Sequence, residues 1–189
     1  MLIRILAFLL ETAFFVLIAA ALLRAWMNWL RVSMTGQPGS FVMALTDWLI
    51  KPLRRSLPKA WSTSRVDWAS VLAAALMALV YAALVGLLFG IFGRVGEDGL
   101  DWGAGVFLLL PLVAVKMLIR VALQTLFMLV LGYAILSWVQ PGSWVYGLLA
   151  RLTEPLLEPF RRVIPTIGGV DLSALVLLLT LQIGMMVLV

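Results

Sequence analysis

Four long apolar segments limit what this chain can fold into. The first, about Leu2 to Leu30, is interrupted by Glu11 and Arg24. The second, Trp68 to Phe92, carries no charge, and the third, Ala104 to Val139, contains Lys116 and Arg120. The fourth runs from Leu172 to Val189. A helix needs roughly 20 apolar residues to cross a bilayer. The first two segments meet that length, the fourth only just does, and the third exceeds it. Its best window is Leu118 to Trp138, which leaves residues 104–116 in the outer interface or as an extension of the helix. Composition agrees: 64% of the 189 residues are apolar and 12% charged, against about 45–50% and 25% in a soluble domain. The predicted fold is all-α: a polytopic membrane protein of four transmembrane helices.

Basic residues set the orientation, because cytoplasmic loops collect Lys and Arg. Arg31, Lys51, Arg54, Arg55, Lys59 and Arg65 lie between spans one and two, and Arg151, Arg161 and Arg162 between spans three and four. The link between spans two and three has Arg94 against Glu97, Asp98 and Asp101. Both long loops are therefore expected in the cytoplasm, with the acidic link and both termini outside. Arg4 ahead of an apolar run raises the question of a signal peptide. Glu11 breaks that run and the segment continues to Leu30, so a span is expected instead. The tryptophans, Trp29, Trp68 and Trp138 among them, fall at predicted span ends or in loops, as an interfacial belt does.

The chain repeats itself. Pro52-Leu53-Arg54-Arg55-Ser56-Leu57-Pro58 in the first loop returns as Pro159-Phe160-Arg161-Arg162-Val163-Ile164-Pro165 in the second. Thr46-Asp47 matches Thr153-Glu154, Asp67 and Asp171 each stand just before a second span, and Trp29 and Trp138 each close a first one. The expected organisation is a first span-loop-span unit over 1–96, a short external acidic link over 97–103, and a second unit over 104–189. The two are parallel repeats with cytoplasmic interfacial helices, related by an axis along the membrane normal.

Thr153-Glu154-Pro155-Leu156-Leu157-Glu158-Pro159-Phe160-Arg161-Arg162-Val163-Ile164-Pro165, followed by Gly168-Gly169-Val170-Asp171-Leu172-Ser173, resembles the signature of the YggT family. The first unit departs from it: Trp48 stands where the second has Pro155, and Lys59 to Val66 replaces the Gly-Gly-Val turn. The resemblance implies a small integral protein of the bacterial inner membrane or of plastid membranes. It also implies links to osmotic or envelope stress, cell division or cytochrome assembly, without a biochemical activity.

Pro52 and Pro159 suit the first position of a helix, where no backbone donor is needed, and Pro58 and Pro165 suit its end. A helix of one or two turns is expected at each motif, after apolar amphipathic stretches at 41–50 and 144–157 that lie in the interface plane. Pro155 is expected to break the second stretch. Three roles compete for the arginine pairs. They anchor topology by snorkelling, they bridge to Asp67 and Asp171 and lock loop to span, or Pro52, Arg54, Arg55, Pro58, Pro159, Arg161, Arg162 and Pro165 form a docking surface for anionic lipid or a protein partner. The first loop carries net charge +4 and the second nets to zero. Simple attraction to lipid therefore does not explain both copies, and specific pairing explains the repetition better.

Inside the apolar segments a central charge costs roughly 2.5–3.5 kcal/mol. Either Lys116 and Arg120 lie near the outer interface and snorkel, or Glu11 pairs with one of them. Glu11 and Arg120 stand at matching positions before Trp29 and Trp138, so an intramembrane ion pair is one expectation.

Enzymatic chemistry is not expected. The chain has no His and no Cys, which removes the common zinc sites, Ser-His-Asp triads and thiolate chemistry. No metal, cofactor or nucleic acid is expected. The expected partners are the lipid bilayer and either a membrane protein or a second copy of the chain. A scaffold or assembly factor fits the duplicated cytoplasmic motif. A small channel or transporter is the alternative, and apolar spans two and four weigh against it.

Overall fold

In the computed structural model, residues 2–33, 36, 38–56, 66–93, 104–162 and 171–188 are described. Among them are six helices and no strand: α1 Leu2–Trp29, α2 Gly39–Ser56, α3 Trp68–Gly93, α4 Ala104–Val139, α5 Trp144–Arg161 and α6 Leu172–Leu188. Three stretches are long and apolar enough to cross a membrane: Arg4–Trp29, Trp68–Leu88 and Leu110–Val139. The fourth apolar helix, α6, has 17 residues. That is about 26 Å, slightly less than a hydrocarbon core of about 30 Å.

By its contacts the chain divides into residues 1–121 and 122–189, so α4 gives its first half to one unit and its second half to the other. In the first unit α1 packs mainly on α3 and then on α2. Its core joins Ile18 and Ala21 of α1, Ala74, Met77, Ala78 and Ala82 of α3, and Ala114, Met117 and Val121 of α4. Alanines dominate because helices in lipid gain little from burying apolar surface. They associate where small side chains let backbones approach. Gly86, four residues before Gly90, meets Leu110 at 3.6 Å from a would-be Cβ, an ordinary contact within this unit. In the second unit Val130 and Tyr133 of α4 pack with Leu157 of α5 and Ala174, Leu177 and Leu181 of α6. A Cβ on Gly132 would come within 3.2 Å of the Leu149 side chain, so glycine lets α5 approach α4 there.

α1 ends at a left-handed residue, Arg31, with φ 55°. Val32 N–H reaches the Met27 carbonyl and Arg31 N–H the Asn28 carbonyl, which satisfies two terminal carbonyls and turns the chain toward α2.

One local expectation is corrected, and one open alternative is decided. The short proline-bounded helices do not form. α2 continues through Pro52 and α5 through both Pro155 and Pro159, each as one helix of 18 residues. Proline removes one N–H bond and crowds the carbonyl four residues back. Pro52 and Pro159 sit on the exposed sides of their helices, where the freed carbonyls can be solvated. The opposite faces hold each helix down through Val42, Thr46 and Ile50 in α2 and Leu152, Thr153 and Leu157 in α5. Of the two readings of residues 104–116, the structure shows the extension of the helix. These residues are helical and continuous with the rest of α4, a helix of 36 residues. Pro58, Pro165, the acidic link at 97–103 and the Gly168-Gly169 turn lie outside the described residues.

Candidate functional site

α2 is amphipathic, and both its apolar and its charged residues tie it to the neighbouring helices. Ile50 and Leu53 pack on Ala69 and Ala73 at the start of α3. Arg24 of α1, buried among apolar neighbours, points its guanidinium at α2. Its Nη1 donates to Thr46 Oγ1 at 2.9 Å and to Asp47 Oδ1 at 2.8 Å. Lys51 Nζ reaches the other carboxylate oxygen at 2.8 Å. Hydrogen bonding from Lys51 and then from Arg24 holds the Asp47 carboxyl below the usual carboxylate range. At the far end of α2, Arg54 Nη2 donates to Asp67 Oδ2 at 2.6 Å. Ser70 Oγ donates to the same oxygen at 2.9 Å. Asp67 immediately precedes α3, so this contact joins the end of one helix to the start of the next.

The second unit uses the same residue types in a different network. Ser143 caps α5, its side chain accepting from Tyr146 N–H. Arg161 sends Nη2 and Nε to Asp171 Oδ2 at 2.6 and 3.0 Å, and Nη2 also donates to Tyr133 Oη at 2.7 Å. The Tyr133 ring stacks on Tyr146 with centroids 5.5 Å apart. Asp171 Oδ1 accepts from Ser173 N–H at 3.1 Å, an N-cap of α6. Burial pushes the Asp171 carboxyl up, but Arg161 and Ser173 outweigh it and hold the group below its ordinary range. Burial likewise works against the Arg161 cation, and Asp171 with Tyr133 more than offsets it. Beside Asp171 an apolar cleft of about 230 Å³ opens between Leu131, Ala134 and Trp138 on α4 and Leu175 and Leu178 on α6.

The structure therefore divides each arginine pair. Arg54 and Arg161 bond to Asp67 and Asp171, with side chains still 48% and 38% exposed. Arg55 is exposed and makes no ion pair among the described residues, and Arg162 makes an exposed i,i+4 contact with Glu158 at 2.6 Å. Such exposed pairs contribute about 0–1 kcal/mol. In the apolar segments, Glu11 meets Arg120 at 3.3 Å, and Lys116 is exposed without an ion pair among the described residues.

Sequence reasoning missed Arg24 and Tyr133. The usable signal was positional, since each stands five residues before the tryptophan that closes its apolar segment. Asp47 matches Glu154 in the repeat, but nothing in the pattern says that Arg24 reaches it. No cluster among the described residues could hold a metal ion.

Long apolar helices joined to amphipathic ones by arginine–carboxylate contacts define a membrane-type, all-helical protein. The chain matches the CCB3/YggT family model over residues 3–88 and 112–189 and belongs to that family. It is similar to "Uncharacterized protein in proC 3'region" of Vibrio alginolyticus, 36% identical across 93% of this chain and 89% of that one. It is also similar to "Uncharacterized protein YggT" of Escherichia coli K12, 32% identical across 94% and 86%, respectively. "Uncharacterized protein PA0392" of Pseudomonas aeruginosa is 30% identical across 93% and 83%. No solved structure matches.

Proposed function

We propose that this protein is a four-span scaffold or assembly factor of the bacterial inner membrane, without enzymatic activity. Two parallel span-loop-span units carry α2 and α5 on the cytoplasmic surface, and both termini lie outside. The observation that carries the reading is the divided role of the arginine pairs. Arg54 and Arg161 are bonded to Asp67 and Asp171, while Arg55 and Arg162 make no bond to the aspartate before the next helix. A helix braced in this way offers a cation and an exposed apolar face in fixed geometry, and rigidity reduces the entropy lost on binding. Trp48 on α2 and Trp144 on α5 are both 63% exposed, which suits helices lying at the headgroup level with a partner alongside.

The test is purification of the full chain from its own membrane in mild detergent, followed by quantification of co-purifying proteins. A single membrane protein in near-equal amount is expected, lost with Arg55→Ala/Arg162→Ala and retained with Arg151→Ala. Recovery of the chain alone overturns the scaffold reading and makes ion or solute flux in liposomes the next measurement.

A further inference from the structure

We propose that Lys116 and Arg120, with Glu11 as the positioning carboxylate, form a binding site for the phosphate of an anionic phospholipid. The site lies in the leaflet opposite α2 and α5. It is separate from the proposed docking surface and does not depend on it.

Depth is the first argument. Glu11 stands eighteen residues before Trp29, and Arg120 eighteen before Trp138. At 1.5 Å per residue each lies about 27 Å from its tryptophan, near the far boundary of a core about 30 Å thick. Lys116 is one turn farther on the same face as Arg120. Helical side chains lean toward the N-terminus of their helix, so Lys116 and Arg120 lean toward that far surface. Arg4, exposed and two turns from Glu11 along α1, adds a further cation at this end.

Charge and exposure are the second argument. Glu11 touches Arg120 through one contact of 3.3 Å, and their side chains remain 42% and 49% exposed. One long contact leaves most of the guanidinium donors available. Two cations against one carboxylate leave a net positive charge, and guanidinium and ammonium groups together suit phosphate oxygens.

Native mass spectrometry of the full chain, titrated with phosphatidylglycerol or phosphatidylcholine, tests the site. Phosphatidylglycerol should bind the wild type more tightly than phosphatidylcholine. Lys116→Ala, which leaves the Glu11–Arg120 contact in place, should weaken phosphatidylglycerol binding about fivefold. Arg151→Ala, an equal loss of charge elsewhere, should not. Lys116→Glu should abolish the preference between the two lipids. Equal retention of both lipids by the wild type, or unchanged binding in Lys116→Ala, overturns the proposal. Disulfide-linked dimers of Lys116→Cys in native membranes also overturn it, because they put a second copy on this face.

Discussion

Arg24 is bonded to Asp47 across two helices, Nη1 to Oδ1 at 2.8 Å, with the arginine side chain only 8% exposed. Tyr133, at the same distance before its closing tryptophan, reaches Arg161 instead. In each unit a polar side chain from a long apolar helix grips the amphipathic helix that follows. The first unit does so with an ion pair and the second with a phenol. Removing Arg24 takes a charged donor from Thr46 and Asp47, while Lys51 still compensates the Asp47 carboxylate. Arg24→Ala should therefore lower stability by about 1–3 kcal/mol, read as a fall in Tm in detergent. Tyr133→Phe, which keeps the ring stack and loses one hydrogen bond, should cost about 1 kcal/mol.

The members of each arginine pair should behave differently. Arg161→Ala strands Asp171 and frees the end of α5, and should destabilise the fold measurably. Arg161→Lys should not restore it, because an ammonium does not reproduce the guanidinium's simultaneous bonds to Asp171 and Tyr133. Arg55→Ala and Arg162→Ala should stay within about 0.5 kcal/mol of wild type. Thermal unfolding in detergent distinguishes the two classes.

Charge reversal probes Glu11 and Arg120. Glu11→Arg places two cations side by side in an apolar segment and should lower the folded yield. Adding Arg120→Glu restores opposite charges and should recover it, read by size-exclusion profile after membrane extraction. A double variant no better than the single one would show that the contact contributes nothing.

Acid should loosen both amphipathic helices. Asp47 and Asp171 are both held below the usual carboxylate range. The stability they contribute is then present above the unfolded carboxylate pKa, about 4, and lost as pH falls through the lower folded values. Tm should fall from about pH 5 downward. Asp171→Asn should be less stable at pH 7 and show a shallower acid decline.

Sidedness is testable because the chain has no Cys. Ser56→Cys and Gly142→Cys should be labelled from the same face of the membrane, the cytoplasmic one. Gly142 has open space around a would-be Cβ, so the substitution costs little. A C-terminal tag should be accessible only from the other face.

Much of the architecture was legible because membranes enforce simple rules. Apolar length predicts where helices are long enough to span, and α1, α3 and α4 lie where the first three segments are. The contacts of Arg54 with Asp67 and Arg161 with Asp171 correspond to one of the three roles the sequence allowed for the arginine pairs, though it did not say which arginine of each pair would bond. The helix through Pro52, Pro155 and Pro159 was not legible. Proline statistics describe isolated helices, whereas here a buried face on the other side holds the helix across each missing bond.

The sequence by itself determined an all-helical chain, its long apolar segments, the repeated Pro-Arg-Arg motif and the family it belongs to, because each depends on local composition and spacing. Only the tertiary structure decided that Arg24 meets Asp47, that Glu11 meets Arg120 and leaves Lys116 exposed, and that one arginine of each pair bonds to the aspartate before the next helix while the other does not. Those choices depend on which helix faces touch, and helix orientation follows from the packing of Ala21, Ala74 and Ala78 in one unit and Gly132 against Leu149 in the other. Close approach of small residues fixes the distance and rotation of neighbouring helices. The charged side chains then bond whatever partner that rotation brings within reach.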